Sequence, residues 1–434
     1  MPSLFTSMFN GLSGLRANSV DLSVIGDNIA NANTIGFKGN RVAFEDALGE
    51  SLIGSGAVGG QVGLGVNVQA VQRILTQGSL ANTGVATDLA VQGEGFFVLQ
   101  GPDGQSFTRN GQFTVDQDGR LVSLSGDRVQ GFQADATGQV GSSFGDIVIG
   151  SVTSPPVASS ELAIQGNLDS TAPVIDPTLT FDPADPTTFS FQNSATVFDS
   201  LGNPIDVQMF YVKTGPNTWD VRAMTDGGNL ATGTPGTLTE LTGTPPIQLT
   251  FTTDGRLDTV TGNTLSFDPL GASAGQSLTL NLGDSINPGG GTGLGGLTQF
   301  ASPSAVSFVS QNGSAAGDLA NVRIEPDGTI TGVFTNGVSQ PLGQIAVATF
   351  NAADQLQRQG GNEYVVTGAS GEPNIGVAGT GGRGVLVGGA LEQSNVDVGD
   401  ELVRMIIAQR SFQANSKIVS TADTLLGELI NLKR

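Results

Sequence analysis

Apolar residues recur at alternating steps of three and four only at the two ends of the chain. Near the start, positions 5, 8, 12, 15, 19, 22, 26 and 29 carry Phe5, Met8, Leu12, Leu15, Ser19, Leu22, Gly26 and Ile29, a heptad seam containing two small residues. Near the end, the same spacing picks out Val398, Leu402, Met405, Gln409, Phe412, Ser416, Val419, Asp423, Leu426 and Ile430. Both stretches predict amphipathic helices. The second has the better end signals: Ser394, Asn395 or Asp397 to cap it, Asp400 and Glu401 in its first turn, Lys433 and Arg434 at its negative pole. The first is weakened by Gly11, Gly14 and Gly26, each costing about 1 kcal/mol relative to alanine. Two helices short of a local core pack on each other or on copies of themselves, and the spacing alone leaves both arrangements open.

Between the helices the periodicity falls to two. Asp-Gly or Asn-Gly turn signals at Asp103-Gly104, Asn110-Gly111, Asp118-Gly119, Asp254-Gly255, Asp327-Gly328 and Asn336-Gly337 are mostly flanked by alternating apolar residues. The fold class expected is multidomain and mainly β, with N- and C-terminal helices packing as a coiled-coil-like inner domain. Two flexible seams, SVTSPPVASS from Ser151 and NPGGGTGLGG from Asn287, bracket a β-rich block of domain size, so the β domains are nested by insertion. The expected division is a helical domain of 1–32 with 394–434 and a connector at 33–70. A discontinuous β domain follows at 71–148 with 300–393, and an inserted outer β domain at 149–299.

Composition narrows the chemistry. The 434 residues include no Cys and no His, which removes thiol and imidazole catalysis, Ser-His-Asp triads and Cys/His zinc sites together. A net charge of -21 repels nucleic acid and anionic lipid, so protein partners are expected, with no nucleic acid and no membrane insertion. No stretch reaches the ~20 apolar residues of a membrane span. The first cation is Arg16, so the start of the chain lacks the charged region of a secretory signal, and exit from the cell would need another route.

Candidate motifs fare poorly. GTGLGG at Gly291 to Gly296 and GTGGRG at Gly379 to Gly384 match a phosphate-loop pattern but open no helix, so they read as flexible loops. DQDGR at Asp116 to Arg120 lacks the later ligands of a calcium loop and reads as a hairpin turn. Trp219 is expected in the inserted domain's core, and of Phe96 and Phe97 one is expected to be buried and the other at an edge or interface. Nothing singles out a carboxylate pair, and no catalytic, cofactor or metal residue is assigned. One short break stands out: NANTIGFKGN, where Asn31 and Asn33 suit local capping, Gly36 a left-handed turn and Phe37 an anchor. Whether Lys38 pairs across subunits is left open by the sequence.

Three segments together resemble one family, the flagellar rod and hook axial proteins: MFNGLSGLRANSVDLSVIGDNIANANTIGFKGNRVAFED, DLAVQGEGFFVLQ with FTRNGQFTVDQDGRLVSLSGDRVQGF, and GVLVGGALEQSNVDVGDELVRMIIAQRSFQANSKIVSTADTLLGELINLKR. The large inserted block is similar to that of the hook-type members, whereas rod-type members generally lack one. The resemblance implies a structural subunit, not an enzyme, that polymerises into a curved hollow tube, a universal joint carrying torque from basal body to filament. Inter-subunit packing would then fall to Phe5, Met8, Leu12, Leu15, Leu22, Ile29, Val398, Leu402, Met405, Phe412, Val419, Leu426 and Ile430. The break at Asn31, Asn33, Gly36 and Phe37 would divide channel-lining helix from connector.

Partners implied are the chain itself as a helical homopolymer, a distal rod protein, hook cap and hook–filament junction proteins, and the flagellar export apparatus. The implied location is extracellular, on the flagellum, reached by the flagellar type III route. The alternatives are a distal rod-type axial protein with an unusual insertion, a secreted β-rich carbohydrate-binding or hydrolytic protein, and a calcium-dependent surface protein.

Overall fold

The computed structural model describes residues 2–47, 50–51, 61–135, 138–150, 152–241 and 246–431. Lys433 and Arg434 lie outside the described residues, as does the side chain of Ile430. The protein is mainly β with one long helix at each end, α1 (Pro2–Ala30) and α2 (Val398–Asn431). The chain forms two compact units, the first of 1–151, 321–333 and 339–434, the second of 152–320 and 334–338.

In the first unit, the strand Phe96–Gly101 pairs with Gly104–Thr108, with Arg128–Ala134 and with Ser339–Thr349, all antiparallel. It is covered on both faces. Phe97 and Leu99 join one core cluster with Phe113, Leu121, Val129 and Ile345, while Phe96 and Val98 join another with Phe107, Leu356 and Tyr364. Phe96 and Phe97 are therefore both buried, and the sequence expectation that one lies at an edge is corrected: a strand hydrogen-bonded on both sides and packed on both faces has no exposed position. Edge-on ring contacts hold the arrangement, Phe97 against Phe113 at 5.1 Å and Phe96 against Tyr364 at 5.7 Å.

Five of the six predicted turn glycines have positive φ, as their turns require. Gly111 does not. A Cβ there would sit 1.7 Å from the Leu89 carbonyl oxygen, so this glycine serves the passage of one backbone over another.

The second unit stacks two sheets on one core. Glu161–Asn167 pairs with Gln276–Asn281, Leu297–Thr298 and Ala305–Gln311 in one sheet, and Phe191–Phe198, Pro204–Gly215, Thr218–Asp226 and Ile247–Phe251 run consecutively through the other. Leu162, Ile164, Val207, Tyr211, Trp219 and Leu249 meet between them. Trp219 is fully buried and donates its indole N–H to Gln299 Oε1 at 3.1 Å. The glycine-rich loop of this unit wraps a carboxylate of its own: Asp284 accepts from the amides of Thr292 and Gly295. In the first unit Asp116 likewise spends its side chain on the amides of Asp118 and Arg120.

Candidate functional site

The two terminal helices lie antiparallel against each other, residue 11 of α1 meeting residues 415 to 419 of α2 and Asp21 lying within electrostatic reach of Arg404. Small residues make the closest approach. Gly11, Gly14, Ala17, Ile25 and Asn28 are the buried positions of α1, and Glu401, Ala408 and Ala422 those of α2. A Cβ on Gly11 would stand 2.9 Å from Val419 Cγ2, and one on Gly14 2.6 Å from Asn415 Nδ2. These glycines are what lets the backbones approach. Gly26 has nothing within 4 Å and plays no such part.

The intramolecular seam is thus set one residue back from the sequence-read seam on α1, and on α2 for one of its two heptad strings. Of the residues assigned to inter-subunit packing, Phe5, Leu12, Val398, Leu402 and Phe412 are exposed, and Met8, Leu15, Leu22, Ile29, Met405, Val419 and Leu426 are half-buried beside the contact. Exposed apolar residues continue round each helix. Phe5, Phe9, Leu12 and Val20 form a stripe on the outer side of α1, with Phe9 57% exposed; Val403, Ile407, Ile418 and Leu425 form one on α2, with Ile407 60% exposed. At 100° per residue, Val403 lies about 200° round the helix from Glu401, on the side away from α1.

At the base of the pair sits a buried polar junction. Helix α1 ends at Ala30, where Asn31 Nδ2 donates to the Asp27 carbonyl and carboxylate and Asn31 Oδ1 accepts from Thr34 Oγ1. Asn33 lies exposed in the turn that follows. Gly36 has φ 68° and its Cβ would meet the Arg109 backbone at 2.6 Å, so two demands fall on one residue. Phe37 is 1% exposed and carries the Arg358 guanidinium over its ring at 5.1 Å, while Arg358 also pairs with Asp27.

Lys38 pairs within its own chain. Its ammonium donates to Glu392 Oε1 at 2.5 Å and to the Thr76 carbonyl at 2.9 Å, with both charged side chains fully buried. Arg109 donates to the other oxygen of Glu392 at 3.2 Å and to the carbonyls of Val91 and Gly93, and the Gly78 amide donates to Glu392 Oε1. One carboxylate therefore gathers two cations and an amide. Burial pulls both Lys38 and Arg109 below their usual ranges, opposed in each case by Glu392. Two asparagines complete the joint. Asn28 exchanges two hydrogen bonds with the backbone of Asn40, and Asn395 accepts from the Gly39 amide and donates to the carbonyls of Ile74 and Thr76. Asp397 caps α2 through the amides of Gly399 and Asp400.

The sequence pointed to the break but missed Arg109 and Glu392, which are remote from it along the chain, and offered Asn395 only as a helix cap, a role that falls to Asp397. The only signal was their charge or amide chemistry inside otherwise apolar strand and loop patterns. Among the described residues there is no group of three or more carboxylates placed to hold a metal ion, and no helix long and apolar enough to cross a membrane. What the arrangement offers is association: apolar stripes on the outside of a helix pair that is rigidly tied to a β body.

Comparison with known proteins agrees with this. Family models match along the chain: flagella basal body rod protein at residues 8–38, flagellar hook protein FlgE/F/G D1 domain at 90–167, flagellar basal body protein FlaE D2 domain at 167–314, and flagellar basal body rod FlgEFG protein C-terminal at 387–432. The flagellar hook protein FlgE of Borreliella burgdorferi is 35% identical over 99% of this chain and 100% of its own length. That of Escherichia coli is 34% identical over 97% of this chain and 98% of its own. A crystal structure of the Helicobacter pylori flagellar hook protein FlgE2 aligns over 72% of this chain and 99% of its own, at 15% identity and a TM-score of 0.49.

Proposed function

The chain belongs to the flagellar hook protein family and is a structural subunit of the hook, and from that premise we propose that its terminal helices build a hollow inner tube with the β units outside it. The observation that carries this reading is the division of labour on each helix. The closest approach of α1 and α2 is made at small residues, with Val419 packed against Gly11, so many of the large apolar side chains are left facing outward, where other copies of the chain would cover them. The residues assigned from sequence, Phe5, Leu12, Val398, Leu402 and Phe412 among them, belong to this inter-subunit set, extended by Phe9, Val20, Val403, Ile407, Ile418 and Leu425.

The tube acts as a universal joint transmitting torque from basal body to filament. Rotation of a curved tube lengthens and shortens its opposite sides in turn, and sparse polar contacts slide where interlocked apolar ones do not. The charge of -21 and the Ser/Thr/Gly-rich second unit suit such contacts. Torque reaches the β body from the helices through the Lys38–Glu392–Arg109 junction, which fixes the break at Asn31, Asn33, Gly36 and Phe37. The specific neighbours are a distal rod protein at one end and cap or junction proteins at the other, with delivery through the flagellar export apparatus. The subunit carries no catalytic activity of its own.

Electron microscopy of the purified protein at rising concentration tests the proposal. Tubes with a central channel are expected; globular monomers persisting under every condition would refute it.

A further inference from the structure

The connector lays a two-stranded ribbon along α1. Asn40–Asp46 and Val66–Arg73 pair antiparallel, and polar ties fasten the ribbon to the helix at both ends. At one end Asn10 Nδ2 donates to the Gly63 carbonyl and the Val66 amide donates to Ser13 Oγ; at the other Asn28 clasps Asn40. Between the ties, roughly 22 Å apart along the helix axis, a groove of about 360 Å³ stays open. Phe9, Leu12 and Val20 line it from α1, and Leu64, Val66 and Val68 from the ribbon. Its single charge is Arg16, which has no ion-pair partner among the described residues.

We propose that this α1–ribbon groove is the socket for the outward stripe of α2 (Val403, Ile407, Ile418, Leu425) of a second copy of the chain. The inference rests on the hook reading and names the contact that would propagate the tube. A surface that pairs with itself closes a two-fold dimer and stops; an open helical polymer needs two different, complementary surfaces on each subunit. The groove and the α2 stripe are two such surfaces. They lie on different helices, and the α1–α2 contact leaves most of both open: Val403 and Ile407 are exposed on the side of α2 away from α1, Ile418 borders the contact with its Cγ2 3.4 Å from where a Cβ on Gly11 would stand, and of the groove lining Ala17 alone is buried. The stripe runs about 33 Å from Val403 to Leu425, enough to fill the groove and continue past it. Asp400 stands exposed on the same side of α2 and supplies the carboxylate that Arg16 lacks.

A photo-crosslinking amino acid placed at Val20, and separately at Val68, tests the socket in tubes grown from a mixture of isotopically light and heavy subunits, so that inter-copy links are recognised by mass. Links joining either position to residues 400–428 of a different copy are expected at both sites. Tubes whose inter-copy links fall instead on residues 5–20, or on the second unit, or that give none, overturn the socket and leave the hook reading standing. Unsubstituted protein that forms no tubes overturns both.

Discussion

Glu392 shows how much of this molecule depends on single side chains. Replacing it by glutamine leaves two buried cations facing a neutral amide, a change costing about 3–5 kcal/mol when one partner of a buried ion pair is lost. Trp219, the chain's single tryptophan, lies in the core of the second unit and provides an internal control. For Glu392→Gln, the denaturation midpoint of the first unit, followed by amide exchange, is expected to fall while the Trp219 fluorescence transition stays in place; equal shifts in both would refute the assignment. Asp21 makes a pH prediction. Burial against α2 raises its carboxyl above the usual range, Arg404 opposing. The ionised form is therefore penalised in the folded pair, and the cost is in force above the raised pKa and lifts as pH falls through it. Relative to Asp21→Asn, the natural helix pair should gain protection from amide exchange between pH 7 and pH 4, and the opposite drift would count against it. At this scale the sequence was only partly legible. NANTIGFKGN declared itself through its turn chemistry, but nothing local to Lys38 announces a partner 354 positions away.

At the level of elements, the existence of α1 and α2 followed directly from their periodicity, while the face each turns to the other did not. Hydrophobicity alone favours Leu12 and Leu15 over Gly11 and Gly14, yet the glycines permit the closest approach, and dispersion between closely packed backbones decides the seam. The same reasoning separates glycines that the sequence treats alike. Gly26→Ala meets nothing and should stabilise α1 by about 1 kcal/mol through helix propensity. Gly11→Ala gains the same propensity but forces its Cβ to 2.9 Å from Val419, so it should weaken the pair. Circular dichroism melts of the two variants should shift in opposite directions; a common shift would show that propensity alone controls α1. The β interior was legible as alternation and turn signals, whereas the double burial of Phe96–Gly101 was not, because a strand's neighbours are chosen by pairings remote in sequence.

For the whole molecule, electrostatics and assembly oppose each other. Subunits of charge -21 repel when brought together, and salt screens that repulsion over about 10 Å at 0.1 M. Raising ionic strength from about 10 mM to about 500 mM should therefore increase the polymerised fraction measured by sedimentation. A decrease would show that inter-subunit ion pairs, rather than apolar stripes, hold the polymer. Composition removes the catalytic chemistries that need Cys or His, but how copies address one another is a property of surfaces that only the folded chain displays.

The Lys38–Glu392 pair also sets an order of events. A chain made from its N-terminus has Lys38 and Arg109 long before residue 392 exists, and until then the two cations have no carboxylate to justify their burial. Closure of the junction therefore has to wait for residue 392, which is separated from Lys38 by 354 positions. An interrupted or truncated chain cannot complete it. A chain that stops short of Glu392 is left with Lys38 and Arg109 lacking the carboxylate that offsets their burial.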